Sequence, residues 1–276
     1  MRIIYKAGFA AALATMSTFS LCAETKPETQ LISSLSGTWK EDQTKRKLGS
    51  TPGLRFRTNA EGGLEELRGP EARPMVQPVK LDGKSYAMEG GNTMIWKQVD
   101  ANAFERRTAL NGKPMSVRYL RISGDGKILT EESERFSHDG KSMKQTAQFR
   151  KESADGKGLL GTWRLLKVQD SEPAEVRYAP DGPGALRVTG RMGSTHTLFF
   201  DGKTSPIEGA NVIPGMKISV KAIDGNTMET TTTREGVRAN NAHIVLSEGG
   251  KVMTVTTTGA GAESSREPSV VVFNKQ

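Results

Sequence analysis

This chain of 276 residues is poor in cysteine, histidine and aromatic residues: it has one Cys and three His, and 6% of its residues are aromatic. A single cysteine excludes an internal disulfide and a thiolate metal cluster. Three histidines without cysteine partners give little support for a metal site. We therefore expect neither a metal nor another cofactor.

Long apolar runs are missing as well. No stretch reaches the roughly 20 apolar residues that a membrane-spanning helix needs. Thirty glycines and a hydrophobic share of 35% exclude a multi-span membrane protein. The chain is expected to have no transmembrane span after processing.

Sequence motifs of the common enzyme classes are absent. The chain has no Gly-x-Ser-x-Gly, no His-Glu-x-x-His and no glycine-rich phosphate loop ahead of a helix, the patterns that mark nucleophile, zinc and nucleotide chemistry. Its Asp-Gly-Lys segments lack the further acidic residues of a calcium loop. We expect no catalytic residues and a protein that is not an enzyme.

The first 23 residues have the order of a secretory signal peptide. Arg2 and Lys6 precede an apolar stretch over 7–23, and the chain turns polar at Glu24. A basic start, a short apolar stretch and a small residue at the boundary predict cleavage after Ala23. Acylation at Cys22 is the alternative, which the preceding Leu21 disfavours. The mature protein is expected in the periplasm or outside the cell.

The remainder of the chain repeats itself. Gly37-Thr38-Trp39 returns as Gly161-Thr162-Trp163, and 99–105 returns at 223–229, both at a shift of 124 positions. The segment 81–84 matches 200–203 at a shift of 119, and extra residues around 211–215 restore the register. We predict two units, 35–151 and 159–276, joined by the polar linker 152–158.

Each unit is predicted to consist of strands and tight turns. Asn111-Gly112 and four Asp-Gly pairs, at 82, 125, 139 and 201, separate short apolar runs. These dipeptides supply the positive φ angles of two-residue hairpin turns. Alternation of apolar and polar residues over 216–222 supports strands. The predicted fold class is all-β, with two tandem antiparallel up-and-down barrels of about 8–10 strands each, because closure hides the sheet edges.

The Gly-Thr-Trp start, the Asp-Gly-Lys hairpins and the closing Phe-x-Lys resemble bacterial secreted lipocalin-like domains of the calycin superfamily. The resemblance covers both units. It implies barrels whose first-strand tryptophans, Trp39 and Trp163, have a structural role at the closed end. It also implies an interior that holds a small apolar or amphipathic molecule. A cation–π contact between the tryptophan and Arg150 is a further expectation, which Asn274 does not preserve in the second unit.

Five residues are the candidates for lining a ligand cavity. Trp96 matches the inward-facing Val220 in the repeat, and His196 shares a face with Leu198. The ligand-binding candidates are Phe56, Trp96, Tyr119, His196 and His243.

Charge is divided unevenly between the units. Residues 35–151 hold 22 Lys+Arg and 15 Asp+Glu, a net charge of +7, while residues 152–276 hold 14 of each. A basic surface attracts anionic partners. The candidates for an anionic-surface site are Arg55, Arg57, Arg106 and Arg107. Nucleic acid is not expected, since aromatic residues do not interleave with the basic ones.

Two hypotheses follow for function. The first is an exported binding protein that holds a small apolar or amphipathic ligand in a barrel cavity. The second is a cell-envelope interaction protein whose barrels are filled and whose first unit binds an anionic surface. An apolar void in a barrel distinguishes the first from the second.

Overall fold

The computed structural model describes residues 26–49, 52–68, 74–88, 91–136, 142–152, 156–190, 193–209, 212–259 and 267–276. The predicted signal peptide, its cleavage site and Cys22 lie outside the described residues. So do the Asp139-Gly140 turn and residues 153–155 of the linker.

The described residues form one α-helix, α1 (Pro27–Leu35), one short 3₁₀ turn (Gln43–Lys45) and twenty strands. Strands of the first half are β1 (Gly37–Glu41), β2 (Pro52–Thr58), β3 (Leu64–Arg68), β4 (Met75–Val79), β5 (Asp82–Ala87), β6 (Asn92–Asp100), β7 (Ala103–Leu110), β8 (Lys113–Ile122), β9 (Ile128–Phe136) and β10 (Ser142–Lys151). Strands of the second half are β11 (Gly161–Asp170), β12 (Glu175–Pro180), β13 (Ala185–Thr189), β14 (Thr195–Phe199), β15 (Ser205–Pro206), β16 (Met216–Ala222), β17 (Thr227–Arg234), β18 (Val237–Ser247), β19 (Val252–Gly259) and β20 (Ser269–Lys275).

The strands form two antiparallel sheets of ten strands each. Sheet A has the order β14-β13-β12-β1-β20-β19-β18-β17-β16-β15, and sheet B has the order β4-β3-β2-β11-β10-β9-β8-β7-β6-β5. Both sheets curl, sheet A into a nearly closed barrel and sheet B into a half-barrel. The all-β fold class with about ten strands in each barrel is confirmed.

Local sequence explains the turns. Asn111 and Gly112 have φ angles of 49° and 78° between β7 and β8, the conformation that an Asn-Gly hairpin turn requires. In the Asp-Gly-Lys turns, the aspartate carboxylate accepts a hydrogen bond from the lysine amide, as Asp125 does from Lys127 at 3.1 Å. This side-chain contact mimics a backbone turn.

The two tryptophan strands are exchanged between the sheets. Strand β1 pairs with β12 and β20 of the second unit, and β11 pairs with β10 and β2 of the first unit. The repeat predicts that each tryptophan strand pairs within the sheet of its own unit. This prediction is wrong. Each ten-stranded sheet consists of nine strands from one unit and one strand from the other.

Trp39 and Trp163 have equivalent surroundings in the two sheets. The indole nitrogens of Trp39 and Trp163 donate to the carbonyls of Leu35 and Leu159, at 2.7 and 2.8 Å. Both indoles are fully buried. Each indole belongs to the buried core of its sheet, which is the position that a structural role requires.

A lysine lies over each of the two indoles. The ammonium of Lys275 is 5.4 Å from the Trp39 ring, and that of Lys151 is 4.9 Å from the Trp163 ring. The expected cation–π partner was Arg150, which is exposed and one residue away from the actual one. The contact is preserved in both sheets.

The sheets differ where their edges meet. In sheet A, Thr195 of β14 exchanges two backbone hydrogen bonds with Glu208, which closes the barrel. In sheet B, the edge strands β4 and β5 do not pair with each other over the residues described. Lys80 and Leu81 join these two strands, and Asp82-Gly83 lies within β5 at an irregularity of its pairing with β6, so the hairpin turn predicted there is not formed. Sheet B is left open along this edge.

Candidate functional site

A cavity of about 400 Å³ lies inside sheet B at its open edge. Its apolar wall is rich in methionine, a flexible side chain that adapts to ligands of different shape. This volume lies within the range of small-molecule sites, roughly 300–1,000 Å³. The apolar lining includes Met75, Pro78, Met88, Met94, Trp96 and Met115.

The other unit contributes to this cavity. Val212, Ile213 and Pro214 line it, and they belong to the segment of extra residues that distinguishes the second unit from the first. The cavity wall is thus completed by a segment outside sheet B. The repeat comparison located this insertion, although it gave no indication of its place in the fold.

An ion pair crosses the interior of the half-barrel. Nη1 of Arg106, on β7, donates to Oε1 of Glu66, on β3, at 2.9 Å. The two side chains are 4% and 3% exposed. The guanidinium of Arg106 also lies 5.5 Å from the centre of the Trp96 ring, and Phe56 packs edge-on against that ring at 6.1 Å. These contacts fix the arginine at the cavity wall.

A second ion pair lies next to the first. Nη1 of Arg118 donates to both carboxylate oxygens of Glu131 at 3.2 Å, and the glutamate is buried. Arg118 stands directly opposite Arg106 in the β7–β8 ladder. Like charges at such positions repel each other. Arg68 adds a third guanidinium to the lining of the cavity.

The closeness of these arginines and their burial change their pKa values. Burial is the main cause that lowers the pKa of Arg106 to about 10; Glu66 raises it, and Arg118 and Arg68 lower it further. Burial also lowers the pKa of Arg68. Both arginines remain protonated at neutral pH, and both lack part of the stabilisation that water or a counter-ion provides.

Several buried polar atoms at this wall make no hydrogen bond within the described part of the chain. The donors are Nε of Arg106, Nε of Arg118 and Nε1 of Trp96, and the acceptors are Oε2 of Glu66 and Oε1 of Gln77. Buried polar atoms are rarely left without partners in folded proteins. Arg106, Arg118, Trp96 and Gln77 line the cavity, and Glu66 does not. The cavity wall therefore carries three donors and one acceptor whose hydrogen-bonding capacity is not met by the described residues.

Sheet A carries uncharged residues at the same four positions. The strand pairings of the two sheets match, so that Glu66, Arg106, Arg118 and Glu131 correspond to Val188, Thr230, Ala242 and Val255. The residues of sheet A belong to its core or pack against it. The fold itself does not require these charges.

The structure separates the predicted ligand-binding residues. Trp96 lines the cavity, and Phe56 lies in the core beside it. His196 faces the inside of sheet A, where burial lowers its pKa to about 4. The interpretation of Tyr119 and His243 as cavity residues is wrong. Tyr119 is 50% exposed on the outer face, and His243 lies 3.7 Å from Glu229 on the corresponding face of sheet A.

The predicted anionic-surface site is not formed as expected. Arg106 is 3% exposed and belongs to the interior. Arg57 pairs with Glu65 at 2.9 Å, and Arg107 pairs with Glu105. Arg55 is half-buried and has a partner of its own. The two exposed arginines are thus neutralised by neighbouring carboxylates.

The cavity residues that sequence reasoning missed are the buried charges. Arg106 is two residues from the buried Phe104, and strand alternation places both side chains on one face. The sequence indicates burial less clearly for Glu66 and Glu131. Each is one of several acidic residues in a mostly polar strand.

A second cavity, of about 600 Å³, lies where the two sheets meet. Arg118 lines both cavities, Glu131 lines this one, and Val271 and Phe273 come from sheet A. Arg46 bridges Glu41 and Asp170 at its rim. These carboxylates raise the pKa of Arg46.

Metal-ligand clusters and membrane-spanning helices are both missing from the described residues. No three His, Cys, Asp or Glu side chains there converge as metal ligands. No helix in that part of the chain is long and apolar enough to cross a membrane.

No protein-family model matches this chain, and no curated protein matches it significantly. The fold and the cavity define a class: an all-β protein with one nearly closed barrel and one half-barrel, consistent with a calycin-like fold.

Proposed function

We propose that this chain is an exported, lipocalin-like binding protein that holds a small amphipathic molecule in the half-barrel of sheet B. One observation carries the proposal. The cavity combines an apolar, methionine-rich wall with buried charges that sheet A replaces by Val188, Thr230, Ala242 and Val255.

Stability does not explain these charges well. A buried ion pair is often no more stabilising than apolar residues of similar volume, because both charges lose their hydration. Sheet A forms its barrel core with apolar and neutral side chains at the same positions. The polar wall of sheet B is therefore better explained by a ligand with polar groups.

The protein is proposed to bind its ligand without catalysing a reaction, and to be exported from the cytoplasm. The absence of catalytic sequence motifs supports the first part. The basic and then apolar order of residues 1–23 supports the second. Recovery of the protein outside the cytoplasm with Glu24 as its first residue would test export, and recovery of the intact chain in the cytoplasm would contradict it.

Methionine methyl NMR tests the binding site, because methionines lie at the cavity and also far from it. Decanol and decanoate are added in turn to the full chain labelled at its methionine methyl groups. We expect the signals of Met94 and Met115 to shift in a saturable manner. Met228 and Met253, in the core of sheet A, are the internal control.

The result separates the proposed site from its alternatives. Shifts at the cavity methionines with unchanged signals from Met228 and Met253 support binding in sheet B. Shifts that are as large in sheet A, or no shift with either probe, would overturn the proposed function.

A further inference from the structure

The charged groups of the sheet B cavity do not balance. Lys80, an exposed residue, also lines the cavity. The buried and half-buried charges are the guanidinium groups of Arg68, Arg106 and Arg118, which line the cavity, and the carboxylates of Glu66 and Glu131, which are not part of the lining. Each carboxylate is already paired with an arginine. Within this group the excess charge is therefore +1, and it lies in a buried setting where counter-ions from solvent are scarce.

The geometry concentrates the excess at one place. Arg106 and Arg118 are direct partners in the β7–β8 ladder, and directly opposed residues have Cβ atoms roughly 4.5–5.5 Å apart. The Nε–H of each makes no hydrogen bond within the described residues. Both arginines line the cavity, and two adjacent cations form a binding position for an anionic group.

A cationic ligand fits this wall poorly. Neither Glu66 nor Glu131 is among the residues that line the cavity, and each carboxylate already accepts from an arginine. Displacing either arginine would leave a buried guanidinium without its partner, which is costly. An uncharged ligand would leave the repulsion between Arg106 and Arg118 in place.

We infer that the ligand carries an acidic group, a carboxylate or a phosphate, which is held at Arg106 and Arg118 while its apolar part lies against Met94 and Met115. This inference rests on the proposed function and deepens it. The indole N–H of Trp96, beside Arg106, adds a neutral donor at the same position. The segment at Ile213 lines the cavity from the other unit.

The test compares amphiphiles with the same tail and different head groups. Binding of decanoate, decyl phosphate, decanol and decyltrimethylammonium to the full chain is measured by isothermal titration calorimetry at neutral pH. The acids are expected to bind about tenfold or more tightly than decanol. The cation is expected to bind more weakly than decanol.

The variant for this test copies sheet A. Removing Arg106 alone leaves Glu66 buried without its partner and risks misfolding. The variant E66V/R106T/R118A/E131V therefore introduces the four residues of sheet A, and R68M removes the third guanidinium. We expect this five-residue variant to lose the preference for the acids over decanol.

A matched control is available next to Arg106. Arg107 is exposed, lies on the outer face and pairs with Glu105. R107T should leave the preference of the wild type for decanoate over decanol unchanged. Loss of the preference in R107T would show that surface charge causes it and would overturn the inference.

The outcomes separate this inference from the proposed function. If none of the amphiphiles binds, the proposed function fails. If decanol binds as tightly as the acids, or if the five-residue variant keeps the preference, the function stands and the inference fails. Inorganic phosphate tests the need for a tail. If it binds as tightly as decyl phosphate, the acidic site is supported and the amphipathic ligand is overturned.

Discussion

Arg46 and Asp170 occupy equivalent positions in the two units, 124 residues apart, and form an ion pair with each other. Nη2 of Arg46 lies 2.8 Å from Oδ2 of Asp170. If two identical units exchanged their tryptophan strands, the residue at this position would lie against the same residue of the other unit. Opposite charges at this position favour pairing between two different units, which is the arrangement that the exchange of β1 and β11 needs.

The ion pair gives a stability prediction. Arg46→Met should lower the free energy of unfolding by about 3–5 kcal/mol, because it leaves Glu41 and Asp170 buried without their shared cation. Urea unfolding measures the change. Lys45→Met is the matched control: the Lys45 side chain is 58% exposed and pairs with Asp42, so its loss should cost less than about 1 kcal/mol. Equal losses in the two variants would contradict the proposed role of Arg46.

The strand exchange gives a prediction about the linker. If a protease site is placed between Glu152 and Gly156 and the chain is cleaved there, the two halves should stay together, because each contributes a strand to the sheet of the other. Exchanged elements tie their owners together in this manner. Size-exclusion chromatography under native conditions measures it. Two separately eluting halves would show that the units fold independently.

Much of the fold is predictable from the sequence, because its signals are local. Asn111-Gly112 predicts its hairpin, and the alternation over 216–222 predicts a strand with Ile218 and Val220 inward, as found. The exchange is not predictable in this way. Gly-Thr-Trp is identical at 37–39 and 161–163, so local sequence fits either strand into either sheet.

The candidate site is less predictable than the fold. The match of Trp96 to Val220 predicts that its side chain points inward, because apolar residues report their face reliably. Arg106 is predicted at the surface, since arginine is rarely buried unless it is paired. Its partner Glu66 lies forty residues earlier, and only the curvature of the half-barrel brings the two together. Buried charge pairs depend on such tertiary contacts.

The two buried tryptophans should be equally important for stability. Trp39→Ala and Trp163→Ala should each cost roughly 3–5 kcal/mol, since each leaves a large cavity in a core. Each change also removes the hydrogen bond to the carbonyl of Leu35 or Leu159. Guanidinium unfolding measures the losses. A loss below about 1 kcal/mol for either variant would contradict the equivalence of the two sites.

The half-buried His196 predicts a dependence of stability on pH. Its pKa is lowered to about 4 in the folded chain, against about 6.5 when unfolded. The unfolded chain therefore binds more protons between these values, so stability is fully present above pH 6.5 and falls as the pH is lowered towards 4.

The contribution of His196 is at most about 3 kcal/mol, at about 1.4 kcal/mol for each pH unit. Gln77 occupies the equivalent position in sheet B, which makes His196→Gln the natural replacement. Thermal unfolding at pH 7 and pH 5 should show a smaller difference for His196→Gln than for wild type. The same difference in both proteins would exclude His196 as its source.

The central claim is that the half-barrel of sheet B holds an acidic amphipathic molecule. A crystal structure of the full chain with decanoate tests it most directly. The decanoate tail is expected in the cavity against Met94 and Met115, with the carboxylate within hydrogen-bond distance of Arg106 or Arg118. Decanoate bound elsewhere on the protein, with the sheet B cavity empty, would contradict it.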